Sequence, residues 1–292
     1  MHPLDDIRYV RLGSSDLDAS VRFATEILGL ELVRRDAKRA YLRAGDRQDH
    51  HVCYTLGDIR QEALAFEATN LDAVAASLEK AGHRLRAGTR DECDERYVKA
   101  MLSLVDPTGN PLEIVHGLSS DAVVKYSRDA GITSFSHVGL RTTDAPRDER
   151  FWTGALGARV SDWIGDAALL RIDEVHHKIA LFPSKRPGIQ HVNCQVSSFE
   201  DIMRSFYFLT ERNVKIVFGP GRHPTSGAMF LYFQGPDDIV YEYSSGVRLI
   251  EDEAGYEPRK FPFAASSFCM WGSKPDIPEF RSAEPLLAAS AE

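Results

Sequence analysis

His137, His191 and Glu242 are three side chains able to bind a divalent metal, and each lies on a stretch that reads as a strand. In GIQHVNCQV, residues 188–196, the apolar Val192, Cys194 and Val196 alternate with His191, Asn193 and Gln195. That is the period of two of a strand with one apolar and one polar face. In FSHVGLR, His137 shares its face with Phe135 and Gly139; in DIVYEYSS, Glu242 sits between Tyr241 and Tyr243 on a strand apolar enough to be buried. A buried, unpaired carboxylate is costly, so Glu242 needs a cation: an Arg or Lys nearby in the fold, or a metal. Two imidazoles and one carboxylate form the facial triad that suits non-haem Fe(II), with positions left open for substrate and oxygen. Mn(II) is the weaker fit, and zinc accepts the same ligand types.

Other titratable side chains cluster on the same elements. His176 and His177 open the strand-like HHKIALFP; His177 shares a face with Ile179 and Leu181 and is the inward one, whereas His176 goes with Lys178 and Ala180. His223 lies in the turn GPGRHP, and Tyr232 follows on the strand expected to pair with the one bearing Glu242. Taken singly, these also read as a pair of exposed loop histidines, a solvated turn histidine and a core tyrosine.

The elements that must position these residues follow from an internal repeat. The segment from Ile7 lines up with that from Phe135 at an offset of 128 residues, placing Phe23 on Phe151 and Gly29 on Gly157; the same offset carries Leu71 onto Phe199. Near the end of each half the offset slips by one, setting Glu113 against Glu242. Each half contains two copies of strand, helix and short strands. In the second half strands are expected near 135–141, 158–163, 167–172, 177–182, 190–196, 214–218, 228–234 and 239–244, and helices near 145–156 and 199–211, capped by Asp144 and Ser198. The fold class predicted is α+β: two tandem domains, each of two βαβββ modules forming a curled, open eight-stranded barrel. The domains are expected at 1–120, without a metal site, and 121–250, catalytic; 251–292 reads as an irregular arm ending in a disordered AEPLLAASAE. The pattern breaks around 118–132, the expected linker.

The first half is an internal control. Tyr9 stands where His137 lies and Ala63 where His191 lies, so only Glu113 has its counterpart in Glu242. A purely structural demand for the histidines should have left something similar in both halves.

The bulk properties narrow the partners. Net charge is -8, with Lys and Arg scattered, which argues against nucleic acid. No run of 18 apolar residues and no apolar signal core occur, so a soluble, cytoplasmic protein is expected. The four cysteines, Cys53, Cys93, Cys194 and Cys269, lie far apart and read as buried reduced thiols. Exposed repeat edges make a homo-oligomer the expected assembly.

Six short motifs in order, SHVGL with His137, HHKIAL with His177, IQHVNC with His191, GRH with His223, LYF with Tyr232 and YEY with Glu242, make the chain resemble the type I extradiol ring-cleavage dioxygenases of the vicinal oxygen chelate superfamily. The likeness runs from Ile7 to about Ser245. It implies that His137, His191 and Glu242 hold Fe(II) and that a small catecholic diol chelates the metal and is cleaved by O2 beside its hydroxyls, giving a hydroxymuconic semialdehyde-type product. It implies further that His177 acts on oxygen and as acid–base catalyst, that Tyr232 hydrogen-bonds the deprotonated substrate oxygen, and that His223 orients the diol or relays its proton. Ser226 departs from the pattern, since relatives carry Asn or Asp at about that position. No Arg on the last strands would obviously pair with a substrate carboxylate, although Arg259 and Lys260 lie in the arm; a neutral diol is mildly favoured. The alternatives within the superfamily are a glyoxalase-like metal-dependent isomerase or lyase, with a more fully ligated metal, and a non-catalytic binding protein.

Overall fold

The computed structural model describes residues 3–45, 50–117 and 126–281. Most of the expected linker and the final AEPLLAASAE lie outside these.

Each half follows one scheme. The first is β1 (Asp6–Ser14), α1 (Leu17–Arg22, continued by π-wound turns over Phe23–Leu28), β2 (Glu31–Arg35), β3 (Arg39–Arg43) and β4 (Val52–Leu56). A second module comprises β5 (Ala63–Glu67), α2 (Leu71–Lys80), β6 (Arg86–Ala87), α3 (Arg90–Arg96), β7 (Ala100–Val105) and β8 (Pro111–His116). The second half begins with β9 (Ile132–Thr142), α4 (Ala145–Gly154), β10 (Arg159–Ile164), β11 (Ala167–Arg171) and β12 (Ile179–Pro183). It continues with β13 (Ile189–Val196), α5 (Phe199–Glu211), β14 (Ile216–Arg222), β15 (Met229–Gln234) and β16 (Val240–Ser245). After these come β17 (Arg259–Phe261), α6 (Ala265–Phe268) and a 3-10 turn at Pro278–Phe280.

The caps read from the sequence are made. The Asp144 side chain accepts from Arg147 N and that of Ser198 from Asp201 N, each satisfying a donor the first helical turn leaves open. The helices bury one stripe each: Phe151 and Trp152 on α4, and Ile202, Ser205 and Leu209 on α5. Val192, Cys194 and Val196, the apolar face of β13, belong to the core these stripes cover. All four cysteines are free and buried.

The strands form two sheets, an eight-stranded one in the order β2-β3-β4-β1-β5-β8-β7-β6 and a nine-stranded one in the order β14-β15-β16-β13-β9-β12-β11-β10-β17. In each, the first strands of the two modules pair antiparallel at the centre, and each first strand also pairs parallel with its own module's last strand. Neither sheet closes on itself, as an open curled barrel requires. The ninth strand, beyond the expected eight, comes from the C-terminal segment: β17 adds parallel to β10. Between the sheets, Tyr54 and Tyr241 share a hydroxyl hydrogen bond of 2.5 Å, and Tyr243 Oη donates to Leu28 O at 2.6 Å. Among the described residues no helix is long and apolar enough to cross a membrane.

Candidate metal centre

Sheet order places the candidate residues on consecutive neighbours. Tyr232 is on β15, Glu242 on β16, His191 on β13, His137 on β9, and His177 stands two residues ahead of β12. Tyr232 lies directly opposite Glu242, Asn193 opposite Glu242 on the other side, and His191 opposite Gly139. Curling the sheet brings these side chains inward. His137, His191 and Glu242 are 4%, 1% and 1% exposed, so all three polar ends sit in protein rather than water.

Their ligand atoms converge. His137 Nε2 is 3.0 Å from His191 Nε2 and 2.9 Å from Glu242 Oε2, and His191 Nε2 is 3.4 Å from the same oxygen. Three donors in cis positions around an ion at a bond length of about 2.1 Å would stand about 3.0 Å apart. Among the described residues this is the one group of three or more such side chains. Both Glu242 oxygens are buried and accept no well-aligned hydrogen bond. A buried carboxylate left in that state is stable only with a cation, so the residues fit a divalent metal.

Protonation suits the same role. Burial would push the Glu242 carboxyl up, but His137, His223 and His191 around it outweigh that and hold it well below the usual carboxylate range. Burial drives His191 down to about 3 against the pull of Glu242, so its imidazole is neutral with a lone pair to give. Gln190 Oε1 holds His191 Nδ1, which leaves Nε2 as the free nitrogen. Gly139 is the seat of this ring: a Cβ there would come 2.4 Å from His191 Nδ1.

The remaining candidates face a pocket beside the triad. His177, His223 and Tyr232 contribute polar groups, and Ile164, Leu169, Ala180, Phe182, Phe268 and Phe280 form apolar walls around a free volume of about 30 Å³. Phe268 and Phe280 come from the C-terminal segment. His223 Nδ1 is 2.7 Å from Phe268 O; since a carbonyl only accepts, Nδ1 carries the proton. In the neutral ring Nε2 is then an acceptor, 3.3 Å from Tyr232 Oη. Burial, followed by the Glu242 charge, raises the Tyr232 phenol well above its ordinary value, so it is a donor at neutral pH. Ser226 lines this pocket and is buried. Arg259 is committed to Asp162 instead of the pocket, with its Nη2 2.6 Å from Asp162 Oδ2.

One placement differs from the strand reading. His176 is fully buried rather than outward, because β12 begins only at Ile179 and the period of two does not extend back to the histidine pair. Asn193, to which the sequence assigns no metal role, donates its amide to Ser244 Oγ at 2.9 Å, tying β13 to β16. Gln190 had no sequence signal, whereas a glycine within a strand, like Gly139, is a recognisable mark of a close approach.

In the first sheet Tyr9 Oη donates to Glu113 at 2.7 Å, and Arg96 Nε and Nη2 reach the same carboxylate at 2.9 and 2.6 Å. Arginine is the cation there. A larger, open cleft of about 470 Å³ adjoins this pair, lined in part by Arg84, Arg86, Leu104 and Leu112. Glu113 and Arg96, already paired with each other, stand on its wall.

Residues 134–243, the span from β9 to β16, match the Glyoxalase/Bleomycin resistance protein/Dioxygenase superfamily. The likeness to that superfamily lies in the second half of the chain. Across both halves the chain is 27% identical over 273 residues to an iron-dependent extradiol dioxygenase of Rhodococcus jostii (strain RHA1), covering 85% of this chain and 91% of the relative. The crystal structure of a halotolerant catechol dioxygenase superposes with a TM-score of 0.85 at 22% identity, covering 96% of this chain and 98% of that one, a likeness of fold. The Mn(II)-bound glyoxalase from Novosphingobium aromaticivorans superposes with a TM-score of 0.83 at 28% identity over 97% of this chain and 95% of that one. The superfamily domain thus coincides with the sheet that holds the His137, His191 and Glu242 cluster.

Proposed function

We propose that the protein is a ring-cleavage dioxygenase that opens a catecholic diol beside its hydroxyls with O2, with Fe(II) held by His137, His191 and Glu242. The observation that carries this reading is the Glu242 carboxylate, buried without an aligned partner and flanked at octahedral-edge spacing by two imidazole nitrogens. Fe(II) in particular is favoured by the two-imidazole, one-carboxylate set and by the likeness to the Rhodococcus iron-dependent extradiol dioxygenase. When bound, such a metal would lower the pKa of the diol hydroxyls and supply the electron donation that O2 needs to react.

The chain's own residues supply the proton handling and the fit. His223, its Nδ1 proton held on Phe268 O, offers Nε2 to take a diol proton. Tyr232, protonated at neutral pH, donates to the oxygen that lost it. His177, driven well below its ordinary value chiefly by burial and then by His137, is a neutral base on the far wall. The pocket lining contains no Arg or Lys among the described residues to pair with a substrate carboxylate, which favours a neutral diol. We take the enzyme to be cytoplasmic and homo-oligomeric; both sheets end in unpaired edges, β2 and β6 in one, β14 and β17 in the other, that a second copy can use.

The likeness to the Novosphingobium glyoxalase supports a second reading, a Mn(II)-dependent isomerase. One panel separates the two. Protein loaded anaerobically with Fe(II) or Mn(II) is given catechol, methylcatechols, biphenyl diol and carboxylated catechols in air, and separately a glutathione hemithioacetal. Yellow products from the neutral catechols support the dioxygenase. Isomerisation of the hemithioacetal with every catechol unchanged would overturn it.

A further inference from the structure

His176 is completely buried beside the pocket, and both of its ring nitrogens are engaged. Its Nε2 lies 2.9 Å from Asp162 Oδ2, and its Nδ1 lies 3.1 Å from His177 Nδ1. Asp162 is itself clamped by β17. Arg259 donates to Oδ1 from its backbone N at 2.8 Å and its Nε at 3.1 Å, and to Oδ2 from Nη2 at 2.6 Å. The line Arg259, Asp162, His176, His177 therefore runs from β17 of the C-terminal segment across β10 to the pocket.

Hydrogen-bond valence fixes where the protons are. Burial would raise the Asp162 carboxyl, but His176 and Arg259 outweigh it and hold the group below its ordinary value, so it is ionised and only accepts. His176 Nε2 must carry the proton it donates to Asp162. Burial, only partly offset by Asp162, lowers His176, so the ring is neutral and its Nδ1 is bare. The proton between the two Nδ1 atoms then belongs to His177, whose Nε2 is left without one on the pocket side.

On the reading of the pocket given above, we propose that His176 is a positioning residue that fixes the tautomer and ring orientation of His177, with Asp162 and Arg259 fixing His176 in turn. It touches neither substrate nor metal ligand. Its contribution is that His177 presents a bare Nε2, a proton acceptor, each time the pocket is filled. The C-terminal segment, which already walls the pocket with Phe268 and Phe280, thereby also acts on His177 through Arg259.

Asp162→Asn is the discriminating variant. Arg259 N and Nε keep an oxygen at the Oδ1 position, and Nη2, which gives up Oδ2, retains Thr225 O at 2.7 Å, so the amide nitrogen takes the Oδ2 position and donates to His176 Nε2. His176 must then carry its proton on Nδ1 and give it to His177 Nδ1, which forces the His177 proton onto Nε2. His176→Asn acts oppositely, because its oxygen can stand near the place of Nδ1 and still accept from His177.

The tautomer is read by long-range proton–nitrogen-15 correlation of the imidazoles in protein loaded with Zn(II), a diamagnetic occupant of the site, and metal content is measured in parallel. Nδ1–H on His177 in the parent and in His176→Asn, with Nε2–H in Asp162→Asn at unchanged metal content, supports the proposal. Nε2–H in the parent, or a His177 tautomer that Asp162→Asn leaves alone, overturns it. On Fe(II) enzyme, Asp162→Asn is expected to lower kcat on the order of a hundredfold with KM little changed. A fall confined to KM would also overturn the proposal. Absence of ring cleavage in the parent protein would reject the dioxygenase reading while leaving the tautomer result intact.

Discussion

Glu113 and Glu242 occupy equivalent places on β8 and β16, the last strand of the second module in each half, and each is buried, but their cations differ. Glu113 is gripped by Arg96 at 2.6 Å, whereas among the described residues the cation-capable groups within 4 Å of the Glu242 carboxylate are the imidazoles of His137, His191 and His223. One duplicated position has thus reached two solutions to the same electrostatic problem, a guanidinium in one half and a metal-capable cluster in the other.

Arg96→Met should leave Glu113 as an uncompensated buried charge and destabilise the protein by about 3 kcal/mol, as removal of one member of a buried pair typically does. Chemical denaturation measures this. Adding Glu113→Gln should restore most of the loss, and metal content should stay at the parent level in both variants. Unchanged stability in Arg96→Met would show that the pair contributes nothing.

The two classes of histidine should separate in a metal assay. His191→Ala is expected to lose metal retention, while His177→Ala should bind metal at the parent stoichiometry and turn over about a hundredfold to ten-thousandfold more slowly. Equal metal loss in both would contradict the division of roles.

Gly139→Ala should weaken metal binding roughly tenfold to a hundredfold, the range seen when the surroundings of a ligand are disturbed. The added Cβ would fall 2.4 Å from His191 Nδ1, in the place Gln190 Oε1 needs. Calorimetric titration with Mn(II) reports it, and an unaltered affinity would mean that the ring is not held against this glycine.

Much of this arrangement was legible beforehand, and for a reason. The repeat fixed which strands are first and last in each module, and a period of two fixed the faces of β9, β13 and β16, so His137, His191 and Glu242 could be named together. Periodicity stops at a strand's end. The His176 and His177 pair precedes Ile179, and there only tertiary packing decides burial. Asp162 and Arg259 meet across a sequence separation of 97 residues through a strand of three residues, too short to leave a pattern. Gln190 is adjacent to a ligand, and its role follows from the bulge at the start of β13, where the register shifts between Ile189 and His191.

Acid should destabilise the metal-free protein. His191 titrates near 6.5 in the unfolded chain and near 3 in the folded one. Between those pH values the unfolded chain binds a proton that the folded chain does not, so stability falls as pH is lowered through this window. The slope from this group is at most about 1.4 kcal/mol per pH unit. Glu242, also depressed on folding, acts in the same direction once pH falls below its unfolded value of 4.5. Guanidinium denaturation of metal-free protein from pH 7 downward should show the decline, and His191→Gln should flatten it. A parent profile as flat as the variant's would contradict the burial of a neutral imidazole.

The central claim, that the His137, His191 and Glu242 centre performs oxygen-dependent ring cleavage, is tested most directly by oxygen uptake. Protein loaded anaerobically with Fe(II) is mixed with a limiting amount of 3-methylcatechol and then with oxygenated buffer, and dissolved oxygen and the yellow product are followed together. One O2 consumed per ring opened, abolished in Glu242→Gln, is the expected result. Full iron occupancy with no oxygen consumed on any catechol would contradict it.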